Sequence, residues 1–445
     1  MYYNQIEALP RDQLRQIQDE HLRQMVRYVS ERIPFYQQKF NALGMKPEDI
    51  RSVEDLPKLP FTKKQDLKEH YPFGLLAVPR EQVIRIHASS GTTGKSTVVC
   101  YTRNDIDLFA EVMARSLVAA GVRPGMLLHN AYGYGLFTGG LGFHYGAEKL
   151  GLTVVPVSGG MTQRQLTLIR DFQPEVLGCT PSYAQTLGEE FKKLGIAPEE
   201  ISMKFALLGA EPWSETIRAD IDRLLGVRST NTYGLSEIIG PGVSQECIEA
   251  RSGSHIWEDH FYPEVVDVDT GEPVADGKQG VLVFTHLTRE AMPLLRYWTG
   301  DITTLTHEPC PCGRTHVRMG PIRGRADDML IVRGINLYPT QVEEVLLGIP
   351  EVAPHYQIVV TREGTLDDIE VKVEVAESLF RAFAQEVLTE ESVEADARAR
   401  NLRDSIQYRI KGIIGLTMKI TLMAPGSVPR SEGGKLRRAV DLRKL

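Results

Sequence analysis

Ile86-His-Ala-Ser-Ser-Gly-Thr-Thr-Gly-Lys-Ser-Thr-Val98 follows an extended apolar lead-in at Ile84 and turns apolar again at Val98 and Val99. Glycines remove the Cβ atoms that would keep a backbone away from a ligand. The bare N–H groups, the hydroxyls and one ammonium then form a cradle for a polyanion. Ser89, Ser90, Gly91, Thr92, Thr93, Gly94 and Lys95 therefore read as a phosphate-binding loop. Gly94-Lys95-Ser96 satisfies the end of the G-x-x-x-x-G-K-[ST] pattern, but Ser89 stands where its opening glycine belongs. That pattern also wants a helix at the lysine, whereas Ser96–Tyr101 is β-branched and reads as strand. A plain Gly/Ser/Thr-rich surface turn fits the same composition, so the decision rests on what lies downstream.

The chain has 445 residues, more than one core usually supports, so two or more domains are expected. A hydrophobic content of 42% with 24% charged residues is ordinary for a globular protein. Lys+Arg 51 against Asp+Glu 58 leaves a net charge of −7 without a long basic run, which argues against nucleic acid as a partner. Met1-Tyr-Tyr-Asn-Gln lacks a basic segment followed by an apolar one, and no apolar run approaches membrane-spanning length. Five cysteines do not suggest a disulfide framework. A soluble, cytoplasmic protein with no membrane partner is expected.

Residues 11–30 are helical by period, with Leu14, Ile17, Leu22, Met25, Val26 and Val29 largely on one face, and Ile33-Pro-Phe-Tyr36 ends that helix. Asn104 can cap a helix carrying Ile106, Phe109, Met113 and Leu117. Met126–Leu128, Thr153–Val157, Glu175–Gly178 and Phe205–Leu208 read as short strands, separated by helices such as Gln163–Phe172 and Tyr183–Leu194. Short apolar strands alternating with amphipathic helices imply parallel sheets covered by helices. From Gly253 to about Leu305 short strands and turns predict a small β-rich subdomain. The tail carries a strand pair at Gln357–Thr361 and Glu370–Val375, two helical stretches and a last strand at Met418–Met423. The expected architecture is α/β. A large N-terminal domain of helix-covered parallel sheets with the β-rich subdomain comes first, and around Ile331–Asn336 the chain crosses into a small α+β tail domain.

The chemistry-bearing motifs follow in order. Leu207-Leu-Gly-Ala-Glu-Pro212 ends a strand in a small-residue turn, where a flat base can slide against bare backbone at Gly209, Ala210, Glu211 and Pro212. In Asn231-Thr-Tyr-Gly-Leu-Ser-Glu237, Tyr233 offers an aromatic face, Gly234 close approach, and Glu237 a hard oxygen ligand for Mg²⁺ on nucleotide phosphates. Tyr297-Trp-Thr-Gly-Asp301 places a carboxylate suited to two ribose hydroxyls, and Gly324-Arg-Ala-Asp-Asp-Met329 adds the Arg325 guanidinium and an acidic pair. Pro429-Arg-Ser-Glu-Gly-Gly-Lys435 is a glycine-flanked lysine on a mobile loop. Separately, Cys310-Pro-Cys312-Gly with Cys247 and His255 can complete a tetrahedral structural zinc site, with His260 and His316 competing as fourth ligand. Free buried cysteines are the alternative, and Cys100 and Cys179 read as core.

Taken together these motifs resemble the adenylate-forming superfamily of acyl-CoA synthetases, luciferases and adenylation domains. Within it the chain is similar to the phenylacetate–CoA ligase family. The phrases that narrow it are Ala131-Tyr-Gly-Tyr-Gly-Leu-Phe-Thr-Gly-Gly140, Gly209–Trp213, Tyr233–Gly242, His255-Ile-Trp-Glu-Asp-His260 and Gly334-Ile-Asn-Leu-Tyr-Pro339. Ser96 replaces a proline common after the loop lysine, and Trp298 an arginine common before Thr-Gly-Asp. The resemblance implies ATP, Mg²⁺ and coenzyme A, a homodimer, and a reaction in two steps. The acid's carboxylate attacks the α-phosphorus of ATP, and the CoA thiol then attacks the acyl-adenylate.

By the same resemblance the loop Ser89–Lys95 holds the β- and γ-phosphates, and Glu237 holds Mg²⁺. Asp301 takes the ribose with Arg325, Tyr233 and Gly209–Pro212 pack the adenine, and Thr232 is a further nucleotide-binding residue. Lys435 neutralises charge between carboxylate and α-phosphate, Asp327 is the hinge between a domain of residues 1–326 and a mobile one of residues 327–445, and Tyr132, Tyr134, Phe137 and Ala210 line the acid slot. An arylacetate suits such a slot better than a long acyl chain. A stand-alone adenylating enzyme serving a carrier-protein thiol shares the motif set. A silent nucleotide-binding module would not need both Glu237 and Lys435, and a GTPase-like switch conflicts with Ser89.

Overall fold

The structure, a computed structural model, describes residues 1–89, 97–326, 330–332, 335–363, 366–383, 388–429 and 438–442. The chain folds as two compact units, residues 1–213 with 217–322, and residues 214–216 with 323–445.

In the first unit α1 (Arg11–Arg32) buries Leu14, Leu22, Met25, Val26 and Val29, and Pro34 opens α2 (Pro34–Leu43), where its missing N–H costs nothing. A short α3 (Lys64–Glu69) leads to the antiparallel pair β1 (Arg85–Ser89) and β2 (Thr97–Tyr101), which flank the expected phosphate loop. Helix α4 (Arg103–Ala119) is capped by Thr102, not Asn104. The Thr102 hydroxyl accepts from Asp105 N (3.1 Å), and the Asp105 carboxylate returns to Thr102 N (3.0 Å). Asn104 instead donates to Glu290 (2.7 Å). A reciprocal cap satisfies two orphan donors where a lone asparagine would satisfy one.

Strand and helix then alternate through β3 (Leu127–Asn130), α5 (Gly139–Leu150), β4 (Thr153–Val155), α6 (Thr162–Phe172), β5 (Val176–Cys179), α7 (Pro181–Lys193), β6 (Phe205–Gly209), α8 (Glu215–Leu225) and β7 (Arg228–Leu235). Next come β8 (Gly240–Glu246), β9 (Ser254–Ile256), β10 (Phe261–Val266), β11 (Gly280–His286), β12 (Tyr297–Thr303), β13 (Leu305–Thr306) and β14 (Arg318–Met319). A nine-stranded sheet runs β13-β14-β9-β8-β7-β6-β5-β3-β4. Its half from β4 to β7 is parallel, and from β7 onward neighbours are antiparallel. Val176-Leu-Gly-Cys179 is buried at every position, as a strand covered on both faces must be. The β-rich stretch after Gly253 is thus divided. β9, β13 and β14 prolong the large sheet, and β10-β11-β12 form a second antiparallel layer.

The second unit comprises β15 (Gly324–Arg325), β16 (Leu330–Val332), β17 (Ile335–Leu337), α9 (Pro339–Leu347), β18 (Val352–Glu363) and β19 (Leu366–Val375), followed by α10 (Glu377–Ala382), α11 (Glu390–Ala395), α12 (Ala397–Ile414), β20 (Lys419–Met423) and β21 (Ala439–Asp441). Its main sheet runs β20-β19-β18-β21. Ile358, Val360, Val371 and Val373 share one buried core with Ile406 and Ile410 of α12. Strand β21, parallel to β18, is too short to be read from sequence: its three residues acquire strand character only from their partner. Among the described residues no helix is long and apolar enough to cross a membrane.

Candidate active site

β3, β5, β6 and β7 run parallel, so their carboxyl ends share one edge, the edge at which open α/β sheets bind ligands. Gly209–Pro212 leave β6 there, Thr232-Tyr233-Gly234 lie near the end of β7, Glu237 follows, and Tyr132–Phe137 link β3 to α5. Ala210 sits at φ 70°, a left-handed conformation uncommon for alanine, which turns the chain sharply after β6. Gly234 passes the opposite strand so closely that a Cβ would stand 1.9 Å from the Gly240 carbonyl oxygen. Backbone cannot yield as a side-chain tip can. Gly234→Ala is expected to cost about 1–3 kcal/mol, read by denaturant unfolding.

Two expected nucleotide residues from distant segments are joined. The Tyr233 hydroxyl donates to Asp301 Oδ2 (2.7 Å), and Asp301 is largely buried in β12. Asp301 N donates to Thr299 Oγ1 (3.0 Å), which itself donates to Leu282 O (2.7 Å), so the carboxylate stands on a fixed turn. Phe284 supports the Tyr233 ring at 6.5 Å between centroids. The Trp298 indole, three residues before Asp301, meets Phe61 edge-on (5.0 Å). The Phe284 support was not legible in sequence, because Phe284 looks like any buried strand aromatic.

The loop bearing Glu237 has its own anchors. Burial and the nearby Arg289 charge push the His286 imidazole down to about 3, so it is neutral. Its Nε2 donates to Ile238 O (2.6 Å) while its Nδ1 accepts from Leu294 N (2.8 Å). Arg289 also donates to Ile238 O. A lone histidine in a strand carries no sequence signal for such a role.

Of the acid-slot residues, Tyr132 is buried with its ring stacked on Phe143 (4.6 Å) and its hydroxyl donating to Leu207 O (3.4 Å), and burial drives its phenol well above 10. Tyr134 is half-buried. Its hydroxyl accepts from Asn130 Nδ2 (2.7 Å) and lies 3.1 Å from His144 Nδ1, and burial lifts its phenol to about 12. Phe137 is 43% exposed. Leu136 O accepts from Ala88 N and from His87 Nδ1, both at 3.0 Å, tying this aromatic segment to β1 just before the phosphate loop.

Ser89 ends β1, whereas Ser90, Gly91, Thr92, Thr93, Gly94, Lys95, Asp327 and Lys435 lie outside the described residues. Arg325 belongs to the second unit. There, the stretch containing Lys435 is flanked by two fixed points. The buried Glu374 carboxylate accepts from Gly426 N (3.0 Å) and Val428 N (2.7 Å). Arg438 pairs with buried Glu343 (2.5 Å) and lies over the Tyr356 ring (4.8 Å).

Away from this edge, Cys247, His255, Cys310 and Cys312 present ligand atoms all within 4.8 Å of one another. Cys247 Sγ is 3.5 Å from Cys310 Sγ, and Cys312 Sγ is 3.3 Å from His255 Nε2. Hydrogen bonds from Cys247 and His255 hold the Cys312 thiol below its ordinary range. The competing histidines are engaged elsewhere, His260 with Asp259 (3.1 Å) and Thr288 (2.8 Å), and His316 with Ile6 O (3.1 Å).

The model of the AMP-binding enzyme family matches residues 16–288, and that of the AMP-binding enzyme C-terminal domain matches residues 334–443. Over 444 residues the chain is 69% identical to a phenylacetate–coenzyme A ligase of Thermus thermophilus, covering 100% of each chain. It is 50% identical over 438 residues to a phenylacetate–coenzyme A ligase of Aromatoleum evansii, covering 98% of this chain and 96% of the relative. A solved structure of 2-hydroxyisobutyryl-CoA ligase in the postadenylation state matches with a TM-score of 0.88 at 29% identity, covering 98% of this chain and 91% of that one. End-to-end identity of this order, on a fold that brings Gly209–Pro212, Tyr233 and Glu237 to one sheet edge, means that the chain belongs to the AMP-binding enzymes, in the phenylacetate–coenzyme A ligase family.

Proposed function

We propose that the chain converts phenylacetate, or a close aryl acid, to its coenzyme A thioester through an acyl-adenylate, with the residue roles given below. The observation that carries this reading is the convergence of Gly209–Pro212, Tyr233 on Asp301, and the Glu237 loop at one strand edge, in a chain with full-length relatives named phenylacetate–coenzyme A ligases. Those relatives do not favour a carrier-protein thiol as acceptor.

A substrate carboxylate is already ionised, so the first step needs no general base. It needs positioning and charge neutralisation as pyrophosphate leaves. Ser89–Lys95 would hold the β- and γ-phosphates, and Glu237, on a loop fixed by His286 and Arg289, would supply the Mg²⁺ oxygen ligand. Asp301, fixed by Tyr233 and Thr299, suits two ribose hydroxyls, with Arg325 a further donor. Lys435 would meet the negative charge that gathers between carboxylate and α-phosphate. Asp327 is the proposed hinge between the half-reactions, and Tyr134, Phe137 and Ala210 face the flat acid, with Tyr132 as the buried floor behind them. A cytoplasmic homodimer completes the proposal, as does a structural zinc ion on Cys247, His255, Cys310 and Cys312, whose donor set suits tetrahedral zinc.

The test is AMP and thioester formation from ATP, Mg²⁺ and coenzyme A across phenylacetate, hydroxyphenylacetates, indoleacetate, benzoate and hexanoate. Phenylacetyl-CoA formed well ahead of the rest supports the reading, and acid-dependent pyrophosphate release without any thioester overturns it. Loosening a root of the Lys435 stretch should act on the first step alone. Glu374→Ala is expected to slow adenylation about 10–100-fold, while thioester formation from supplied acyl-adenylate stays within about twofold.

A further inference from the structure

The cysteine–histidine cluster lies against the first eleven residues of the chain. Cys247 follows β8, His255 sits in β9, and Cys310 and Cys312 occupy the irregular turn between β13 and β14. Two contacts shape the cluster for a metal. His255 Nδ1 donates to His316 O (3.0 Å), which leaves Nε2 facing the sulfurs, and Arg314 N donates to Cys312 Sγ (3.4 Å).

The same turn receives the N-terminal arm. The Tyr2 hydroxyl donates to Cys312 O (3.1 Å), and Gly313, at φ 79°, lies so near that a Cβ would stand 2.3 Å from the Tyr2 oxygen. Arg314 Nε donates to Glu7 Oε2 (2.7 Å), with side-chain exposures of 1% and 0%, and Arg314 Nη2 donates to Met1 O (3.0 Å). Thr315 N donates to Glu7 O (3.0 Å), and the Thr315 hydroxyl to Leu9 O (2.6 Å). The other Glu7 oxygen accepts from Tyr3 N (2.9 Å) and Asn4 N (2.8 Å), so that one buried carboxylate organises the arm.

A buried ion pair is stable only while its geometry is held, and here one partner stands on a turn with no regular secondary structure. Among the described residues the elements beside that turn are two-residue strands, and its cysteines form no disulfide. The far end of the turn is fastened by Val317 N to Glu258 and by Ile256 N to Val317 O, so the metal centre is what can fix its Cys310–Cys312 end, beside Arg314 and Thr315.

We infer that zinc bound by Cys247, His255, Cys310 and Cys312 is the anchor of the N-terminal arm, holding Arg314 and Thr315 where Glu7, Leu9 and Tyr2 dock. The inference rests on the zinc reading and goes beyond it: metal loss unfastens residues 1–10, ahead of α1, without unfolding the sheet of the first unit.

The experiment combines elemental analysis of protein purified without chelator with hydrogen exchange before and after zinc is stripped, and again after Zn²⁺ is restored. About one zinc per chain is expected. Stripping should speed exchange in peptides covering residues 2–10 and 310–317 at least about tenfold, an opening of about 1.4 kcal/mol, with β5 and β6 still protected. Arg314→Ala keeps all four ligands, and should retain zinc yet lose protection in residues 2–10 only. Zinc present, with an arm equally protected after stripping, overturns the anchor while leaving the zinc site intact. Absence of zinc, or a 2 Da mass loss marking a disulfide in the cluster, overturns the zinc reading itself.

Discussion

Lys435→Ala is expected to lower acid-dependent pyrophosphate release by about 10²–10³-fold or more, the loss seen when one donor to a developing negative charge is removed. Thioester formation from synthetic phenylacetyl-adenylate and coenzyme A should change by less than about threefold, because no phosphorus–oxygen bond to pyrophosphate breaks in that step. Measured separately, the half-reactions distinguish a charge-neutralising lysine from one that only stabilises the fold, which would depress both alike. Loss of both rates, with the unfolding transition unchanged, would remove Lys435 from the proposed role. Asp327→Pro gives the complementary result: adenylation retained and thioester formation lost by more than about tenfold, if a hinge there separates the steps.

The second large effect is on stability. Arg115 of α4 donates from Nη1 to both carboxylate oxygens of Asp259 at 2.9 Å, and from Nη2 to Glu111 (2.6 Å). Arg115 and Asp259 side chains are each 2% exposed, with the guanidinium lying over the Trp257 ring at 6.0 Å. Burial alone would raise the Asp259 carboxyl, but His260 and Arg115 outweigh it and hold the group well below its ordinary range. Arg115→Met removes the two-oxygen partner of that buried carboxylate and leaves it beside the His260 ring at 3.1 Å. It is expected to destabilise the first unit by about 3–5 kcal/mol, measured by denaturant unfolding. Adding Asp259→Leu should recover part of the loss, since the stranded charge is what costs most. Arg223→Ala, which removes an exposed pair with Asp220, should change stability by less than about 1 kcal/mol. A cost for Arg115→Met no larger than that control would show that the buried pair is not structurally important.

Local chemistry alone determined much about this protein. Alternation of short apolar strands with amphipathic helices specified a helix-covered parallel sheet, because a strand covered on both faces must be apolar at nearly every position. The Gly-rich loop, the Tyr233–Glu237 stretch, Asp301 and the Cys310-Pro-Cys312 turn could be picked out as candidates, because glycine spacing and ligand type are properties of adjacent residues.

What depends on residues far apart in the chain was decided only by the tertiary structure. Tyr233 and Asp301 are 68 positions apart, yet one hydrogen bond joins them. His286 takes its role on the Glu237 loop from burial beside Arg289, which no local pattern encodes. Thr102 displaced Asn104 as the cap because only Thr102 could pair reciprocally with Asp105. His255, not His260 or His316, joined the cysteines because β9 brings it beside the Cys310–Cys312 turn, whereas Asp259, Thr288 and Ile6 O occupy the other imidazoles. Glu7 and Arg314 looked like ordinary charged residues until the fold buried them together, since a charge declares its partner only when water has been removed from both.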